Sequence, residues 1–411
     1  MSKKIENFDT LLSYDEKNRF FRHTFNLCRK KENFSTLLVL MTEISKKFNM
    51  ANTAPFSLSE LPYALSNFES IGIYKQLTKS SRALAELKGV VKSIPNEEIL
   101  LNTLALQEAK DSSEVENIVT THDELFRNQL DQNFDSIATK EVQNYTEALK
   151  RGWTLVQGKR LLLNKHILEI QETLEKNKAG FRAVPGTSLK NQKGEVIYTP
   201  PQHPEDIINL MSNLEAYINN AEMQDLDPLI KMAIIHFQFE SIHPFYDGNG
   251  RTGRIINVLF LTMTGLLDLP VLYLSRFINQ NKADYYHKIQ NVRDENAWEE
   301  WVLFMLEAVE ETANETIRLI RIIQKQMHTY KKVMREQTKF YSKDLLEHIF
   351  RHPYTKVQFL QQELGKHRQT VSSYLDKLCE LNLLKKETHG NTNYYINRSL
   401  FELLKNGMQE V

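Results

Sequence analysis

The stretch Glu240–Ile256, ESIHPFYDGNGRTGRII, contains a G-x-G-x-x-G string at positions 248–253. In a Rossmann domain such a string directly follows a buried strand. Here it follows residues 229–242, LIKMAIIHFQFESI, whose length and dense apolar patterning predict a helix. The stretch therefore predicts a tight loop between two helices and argues against a dinucleotide-binding turn.

The first of these helices has clear predicted limits. Asp227 is a suitable N-cap, and Pro228 is a suitable first helical residue. Pro244 disfavours helical geometry in the residue before it, so the helix is expected to stop at His243. An imidazole that titrates near neutral pH then lies beside the loop, where it can accept a proton.

The loop itself is suited to binding anions. Gly248 and Gly250 let the backbone turn sharply and direct N–H groups at phosphate oxygens, and the following helix N-terminus adds its positive dipole end. Arg251 and Arg254 are three apart on one predicted helix face and can reach the same polyphosphate. Asp247 is placed to hold Mg²⁺ against the phosphates. Each residue alone is common in turns or on surfaces, but their order together favours phosphate chemistry.

The segment HPFYDGNGRTGR, residues 243–254, resembles the complete signature of the Fic family, H-P-F-x-[DE]-G-N-G-R-x-x-R. The resemblance extends over residues 50–330. It implies an all-α Fic core with a small β-hairpin flap. It also implies transfer of AMP from ATP, with Mg²⁺ or Mn²⁺, to a Ser, Thr or Tyr hydroxyl of a target protein and to the enzyme itself.

The resemblance further implies a role for each residue of the site. His243 would be the general base for the target hydroxyl, and Asp247 would be the metal ligand. Tyr285 or Tyr286 would lie near the adenine, although either could equally well be a core residue. Phe245 is expected to anchor the loop. The implied ATP-binding residues are Gly248, Asn249, Gly250, Arg251, Thr252, Gly253, Arg254, Tyr285 and Tyr286.

An upstream segment resembles the inhibitory motif of the family, [ST]-x-x-x-E-[GN]. Its residues here are Ser112, Glu116 and Asn117. The resemblance implies that Glu116 pairs with Arg254, so that the arginine cannot hold the γ-phosphate. The overlapping string Ser113-x-x-Glu116 is also a capping box that would start a helix, and the two interpretations are compatible.

Two further segments have predicted roles. Residues 181–201 contain two short strand-like runs bracketed by Gly and Pro, which predict a hairpin that resembles the target-docking flap of the family. Residues 355–397 predict a winged helix-turn-helix, with a turn at 365–367, Arg368–Leu381 as recognition helix and a hairpin at Gly390-Asn391. DNA binding and a role in dimerisation or target docking are both open for this region.

The composition limits the remaining choices. Lys and Arg total 52 and balance 52 Asp and Glu, so no overall attraction to nucleic acid or membrane is expected. Only two cysteines are present and the start lacks a signal peptide, which favours the cytoplasm. The predicted organisation is an extension of unknown role (1–49), a helical region with the inhibitory motif (50–150), the Fic core (151–335) and the winged helix (340–411).

Three functions compete with an autoinhibited protein adenylyltransferase. The first is a DNA-binding regulator whose Fic core senses a nucleotide. The second is a Fic enzyme that uses another donor and transfers UMP, phosphocholine or phosphate. The third is removal of AMP by hydrolysis, with Glu116 positioning the water. The intact residues His243, Asp247 and Arg254 favour the transferase, since a sensor needs no base.

Overall fold

The computed structural model describes residues 57–131, 136–191, 193–389 and 392–406. The predicted extension 1–49 lies outside these residues, which belong to one compact unit. The described residues are mostly helical, with small antiparallel sheets. The helices up to residue 337 are α1 (Ile71–Val91), α2 (Glu97–Val115), α3 (His122–Asp131), α4 (Ile137–Gln157), α5 (Asn164–Glu175), α6 (Pro204–Asn219), α7 (Pro228–Ile242), α8 (Asn249–Met263), α9 (Ser275–Gln280), α10 (Lys282–Glu295) and α11 (Trp298–Gln337).

Helix α7 lies at the centre of the core, and every residue of it after Pro228 is buried. The Asp227 carboxylate accepts a hydrogen bond from the backbone N–H of Leu229 at 2.8 Å, as an N-cap does. The helix ends at Ile242, and His243 follows in a left-handed backbone conformation with φ +48°. The predicted limits are confirmed. A Rossmann turn is excluded, because a helix and not a strand precedes the glycines.

Helices α7 and α8 pack closely against each other. Gly253 faces α7, where an added Cβ would lie 2.6 Å from the Glu240 Oε1 atom and 3.1 Å from the Phe239 ring. Phe239 and Phe245 are fully buried, as was expected for Phe245. Burial of a side chain of this size stabilises the fold by about 1.5–3 kcal/mol. The loop between the two helices is therefore held by the core on both sides.

The predicted hairpin is confirmed as the antiparallel pair β1 (Leu189–Lys190) and β2 (Val196–Tyr198). We call residues 181–201 the flap. Its base is attached to the core, since the Tyr198 hydroxyl donates to the Ser241 carbonyl at 2.7 Å. The Phe181 ring also lies 5.4 Å from the ring of Phe245. The flap is therefore anchored next to the loop that follows α7.

Helix α11 packs along α1 and continues to the C-terminal region. There the Tyr330 hydroxyl donates to the Leu383 carbonyl at 2.9 Å and to the Asn397 side chain at 3.0 Å. The elements of this region are α12 (Lys343–Arg351), β3 (Tyr354–Thr355), α13 (Val357–Leu364), α14 (Arg368–Glu380), β4 (Lys385–His389), β5 (Thr392–Ile396) and α15 (Arg398–Asn406). Its sheet has the strand order β3-β5-β4.

Helices α13 and α14 are separated by a turn in which Gly365 has φ +60°. Strands β4 and β5 pair in antiparallel register after α14, and their predicted turn residues Gly390 and Asn391 lie outside the described residues. The winged-helix assignment and the predicted domain boundaries stay predictions. None of the helices in the described ranges is long and apolar enough to cross a membrane.

Candidate active site

The loop between α7 and α8 ends at the N-terminus of α8. Gly248 is the N-cap of α8 and has φ +78°, a conformation that favours glycine. The first N–H groups of a helix have no partner within the helix, so they can bind an anion, and the helix dipole adds to the attraction. The backbone of Asn249, Gly250 and Arg251 forms this first turn.

The side chain of Asn249 closes the loop and does not point to a ligand. Its Oδ1 accepts from the backbone N–H of Phe245 and its Nδ2 donates to the carbonyl of the same residue, both at 2.8 Å. Thr252 is fully buried, and Gly253 packs on α7. The Asn249 side chain and the packing of Thr252 and Gly253 therefore support the loop, and binding of ATP by these three residues stays a prediction.

His243 lies at the junction between α7 and the loop. The pKa of its imidazole is lowered to about 4, mainly by burial and in smaller part by the nearby cations Arg182 and Arg293. Its Nδ1 atom has no hydrogen-bond partner among the described residues. The imidazole is therefore neutral at neutral pH and can accept a proton.

Arg182, at the start of the flap, fixes the position of His243. The Arg182 Nε donates to the His243 carbonyl at 2.7 Å, and its backbone N–H donates to the Pro244 carbonyl at 2.8 Å. Another guanidinium N–H reaches the Pro201 carbonyl at 2.9 Å, at the far end of the flap. One buried arginine thus joins both ends of the flap to the residue predicted as the base.

Asp247 is the exposed acid of the loop, with 78% of its side chain accessible. Its Oδ1 accepts from the Gly248 N–H at 2.7 Å, which orients the carboxylate. Among the described residues there is no group of three or more acidic, His or Cys side chains that could hold a metal. Mg²⁺ commonly uses one or two carboxylates together with substrate phosphates. Asp247 therefore fits a metal that is bound jointly with a nucleotide.

Arg254, on the buried face of α8, is held by the C-terminal end of α2. Its side chain is 1% accessible. The Nη2 donates to Glu116 Oε1 and to the Ser112 carbonyl, each at 2.8 Å, and the Nε donates to Ser112 Oγ at 2.7 Å. The side chains of the two predicted segments are thus in direct contact, and the last turn of α2 offers its carbonyl to a cation.

The capping-box interpretation of Ser113-x-x-Glu116 was wrong, because a helix ends there. Helix α2 terminates at Val115 and Glu116 is its C-cap. Asn117 then has φ +64°, in the left-handed region that Gly and Asn tolerate best, and its Oδ1 accepts from Lys282 Nζ at 2.9 Å. The same polar string is compatible with either end of a helix, so local sequence did not distinguish them.

Arg251 has different partners from Arg254. Its side chain is 4% accessible, and it is held between two other helices. The Nη1 donates to Glu141 Oε2 on α4 at 3.0 Å, and the Nη2 donates to Glu175 Oε1 on α5 at 2.8 Å. Both arginines of the loop are therefore paired with carboxylates.

The two candidate tyrosines differ in environment. Tyr285 is 3% exposed, and its hydroxyl forms a hydrogen bond with His236 Nε2 at 2.9 Å. Core packing is thus the better interpretation of Tyr285. Tyr286 is 42% exposed and its ring lies edge-on to Tyr285 at 5.1 Å, so of this pair it is the one accessible to a nucleotide base.

Comparison with known proteins decides the family. Residues 74–154 match the family model described as "Fic/DOC family N-terminal", and residues 161–261 match "Fic/DOC family". The chain belongs to the Fic/DOC family. Residues 326–400 match "Protein adenylyltransferase SoFic-like, C-terminal domain". The Fic match thus includes α7, the loop after it and all but the last two residues of α8.

Curated relatives and a solved structure agree with this membership. The chain is 26% identical over 177 residues to Protein adenylyltransferase Fic of Drosophila mojavensis, covering 42% of this chain and 34% of the relative. It is 30% identical over 112 residues to the Drosophila grimshawi protein of the same name, covering 27% and 22%. The chain thus spans about a third or less of the length of these relatives.

A crystal structure of a Fic family protein from Desulfovibrio desulfuricans G20 has the same fold. It aligns with a TM-score of 0.54 at 18% identity and covers 82% of this chain and 98% of that one. At this identity the likeness concerns the fold alone.

The sequence analysis missed several residues of the Fic site. Arg182, Glu141 and Glu175 carry no local signal, because single charged residues on helices and in loops are usually solvated. Glu240 was also missed. It is buried, which raises its pKa to about 7, and its Oε1 has no hydrogen-bond partner in the described part of the chain.

Gly248 is expected to tolerate alanine less well than Gly265, a glycine just beyond the other end of α8. Their φ angles are +78° and +77°, so an alanine at either site costs roughly 1–2 kcal/mol of backbone strain. A Cβ at Gly248 would lie 2.4 Å from Glu175 Oε1, whereas at Gly265 the nearest atom is 3.8 Å away.

Thermal unfolding checks this prediction. Gly265→Ala is expected to lower the Tm by about 2–4 °C and Gly248→Ala by about twice as much. Equal shifts of the two Tm values would show that the Glu175 carboxylate leaves room for a side chain.

Proposed function

We propose that the Fic domain of this chain transfers AMP from ATP to a Ser, Thr or Tyr hydroxyl of a target protein. One observation carries the proposal. A histidine that is neutral at neutral pH lies near the N-terminus of α8, with Asp247 in the same loop and two arginines in the helix itself. The names of the curated relatives, Protein adenylyltransferase Fic, support the same reaction.

The reaction is an in-line displacement at the α-phosphorus. The target hydroxyl oxygen forms a bond to this phosphorus, the bond from it to the β-phosphate oxygen breaks, and pyrophosphate leaves. The proton of the hydroxyl passes to His243, which is fixed through its carbonyl by Arg182. The N–H groups of the first turn of α8 stabilise the phosphate charge, so positioning and electrostatics provide most of the acceleration.

Asp247 would hold the divalent metal, Mg²⁺ or Mn²⁺, in this reaction. When bound, such a metal offsets negative charge on the phosphates and on the departing pyrophosphate. The exposure of Asp247 leaves its second oxygen available, because the hydrogen bond from Gly248 uses only Oδ1.

The flap would bind the target. Its strands are two and three residues long, and Val184, Val196 and Ile197 are exposed apolar residues on it. An extended target segment can add to such an edge through backbone hydrogen bonds. Since Arg182 ties the flap to His243, a target bound there would present its hydroxyl near the base.

The ion pair between Glu116 and Arg254 would keep the enzyme inactive. Arg254 has its guanidinium hydrogen bonds to Ser112 and Glu116 satisfied, so it is not free to bind the γ-phosphate. Release of Glu116 would free it for the nucleotide. In a hydrolytic reaction the same carboxylate would instead position water against an AMP-modified target.

Mass spectrometry of the intact protein tests the proposal. The wild type and a Glu116→Gly variant are incubated with Mg²⁺ and, in separate samples, ATP, GTP, UTP, CTP or CDP-choline. A gain of one AMP with ATP, larger in the variant, supports the proposal. Modification from another donor alone would assign the alternative Fic chemistry, and no modification of the chain or of added lysate proteins would overturn the transferase assignment.

A second candidate function belongs to the C-terminal region, which we propose acts as a winged helix that binds DNA. The best support for DNA binding lies at the start of α14, where Lys366, His367 and Arg368 are all exposed. Other basic residues are less available. The lysines already paired with acids are Lys377 with Glu380, Lys385 with Glu387 and Lys386 with Asp376.

Replacement of Arg368 by alanine is expected to weaken binding to a fluorescent DNA duplex. If Arg368 contacts one phosphate, the slope of log affinity against log salt falls by about one. Lys377→Ala is the control, because that lysine is paired with Glu380. Anisotropy titrations at several salt concentrations give both slopes. Absence of duplex binding by the wild type at low salt would favour a role in protein docking.

A further inference from the structure

Arg251, like Arg254, is an arginine of the signature that is paired with nearby acids. Arg251 and Arg254 are three residues apart on α8, yet their partners come from different helices. Glu116 from the end of α2 contacts Arg254, whereas Glu141 on α4 and Glu175 on α5 contact Arg251. A phosphate could reach Arg251 only if one of these carboxylates moved or shared the guanidinium.

Glu175 also lies against the anion-binding turn itself. A Cβ added to Gly248 would be 2.4 Å from Glu175 Oε1 and 3.1 Å from Glu175 Cδ, so the carboxylate directly faces the N-cap of α8. Gln171, one turn earlier on α5, donates to the Asp247 carbonyl at 3.4 Å. The C-terminal end of α5 therefore places a negative charge where a phosphate would need N–H groups and positive charge.

The other partner of Arg251 is placed differently. Glu141 is 31% accessible against 13% for Glu175, and the three atoms nearest to a Cβ added at Gly248 all belong to Glu175. Charges near solvent are screened more strongly than buried ones. Of the two acids, Glu175 thus has the stronger unfavourable interaction with an incoming phosphate.

We propose that Glu175 is a positioning residue that holds Arg251 away from the nucleotide phosphates and restricts the anion site independently of Glu116. The inference rests on the proposed function in one respect, since it takes a nucleotide polyphosphate as the ligand. Both arginines of the signature are then held by acids in this state, Arg254 at the end of α2 and Arg251 between α4 and α5.

The test measures ADP binding by isothermal titration calorimetry in the presence of EDTA, so that neither a metal nor AMP transfer contributes. The variants are Glu175→Gln, Glu141→Gln, Glu116→Gly and the double variant that combines Glu175→Gln with Glu116→Gly. Glutamine keeps the size of the side chain and removes its charge. Loss of one carboxylate charge near the phosphates is expected to lower the Kd for ADP about five-fold or more in Glu175→Gln.

Glu141→Gln is the matched control, because it removes a charge from the same arginine at the more exposed carboxylate. We expect a smaller change in its Kd. ADP lacks the γ-phosphate that Arg254 is proposed to bind, so Glu116→Gly provides a second background. The fold gain in ADP affinity from Glu175→Gln should appear in that background as well.

A purely structural role gives the opposite result. If Glu175 only fastens Arg251, Glu175→Gln lowers the Tm and leaves the Kd for ADP unchanged or higher, which overturns the inference. A gain in Glu141→Gln equal to that in Glu175→Gln also overturns it. If Glu175→Gln binds ADP more tightly but no AMP is transferred, the inference is supported and only the proposed function is rejected. AMP transfer with unchanged ADP affinity in Glu175→Gln rejects the inference alone.

Discussion

Glycine in place of Glu116 is expected to raise the rate of self-modification with ATP by about 10- to 100-fold. The variant removes the carboxylate that accepts from Arg254 Nη2 at 2.8 Å. A hydrogen bond to a charged group is worth about 1.5–3 kcal/mol, and each 1.4 kcal/mol corresponds to about ten-fold in an equilibrium. Arg254 then does not have to release Glu116 before it binds the γ-phosphate. A larger fraction of the enzyme with bound ATP is therefore in the reactive arrangement.

Glu114→Gly is the control for this variant. Glu114 lies in the last turn of α2 and pairs with Lys110 at 3.0 Å, so its replacement perturbs the same helix end without touching Arg254. Glycine inside a helix also costs about 1 kcal/mol, which tests whether loosening α2 is enough to activate the enzyme. Radiolabelled ATP gives both rates. Equal rates in Glu116→Gly and the wild type would remove Glu116 from the regulation of the site.

Alanine in place of His243 has the largest expected effect. In the Glu116→Gly background it should lower kcat by about 10²–10⁴-fold, which is the usual contribution of a general base. ATP affinity should stay near that of the parent, because the N–H groups of α8 and the arginines bind the phosphates. The contacts of Arg182 and of the helix end use the backbone of His243 and survive the change.

The pH dependence of the same reaction tests the state of His243. The base must be unprotonated, and burial together with Arg182 and Arg293 lowers its pKa from 6.5 to about 4. The rate should therefore be flat from about pH 6 to about pH 8 and fall only as the pH approaches the lowered pKa. His328→Ala, an exposed histidine on α11, serves as control for loss of an imidazole. A fall in rate centred near pH 6.5 would contradict the buried environment of the base.

Several features of the fold follow from local sequence. The Asp227-Pro228 pair caps α7, and Pro244 prevents the helix from continuing past His243. The glycines shape the turn before α8, and the Gly- and Pro-bounded runs form the flap hairpin. These predictions hold because caps, turns and periodicity depend on residues only a few positions apart.

Other features depend on contacts between distant segments. The partners of Arg251 lie 110 and 76 residues away, so its pairing with Glu141 and Glu175 has no local signature. Tyr285 and Tyr286 are adjacent in sequence, but only the packing of α10 against the core decides which one is buried.

By itself the sequence determined that a tight glycine-containing loop with a histidine and an acid joins two helices, the second of which carries two arginines. The tertiary structure decided what each charged group faces. It placed the string that looked like a helix start at the end of α2, opposite Arg254. It also buried Arg182, at the start of the flap, against the backbone of His243. The physical reason is that hydrogen bonds of neighbouring residues fix backbone geometry, whereas the environment of a charge depends on which helices pack around it.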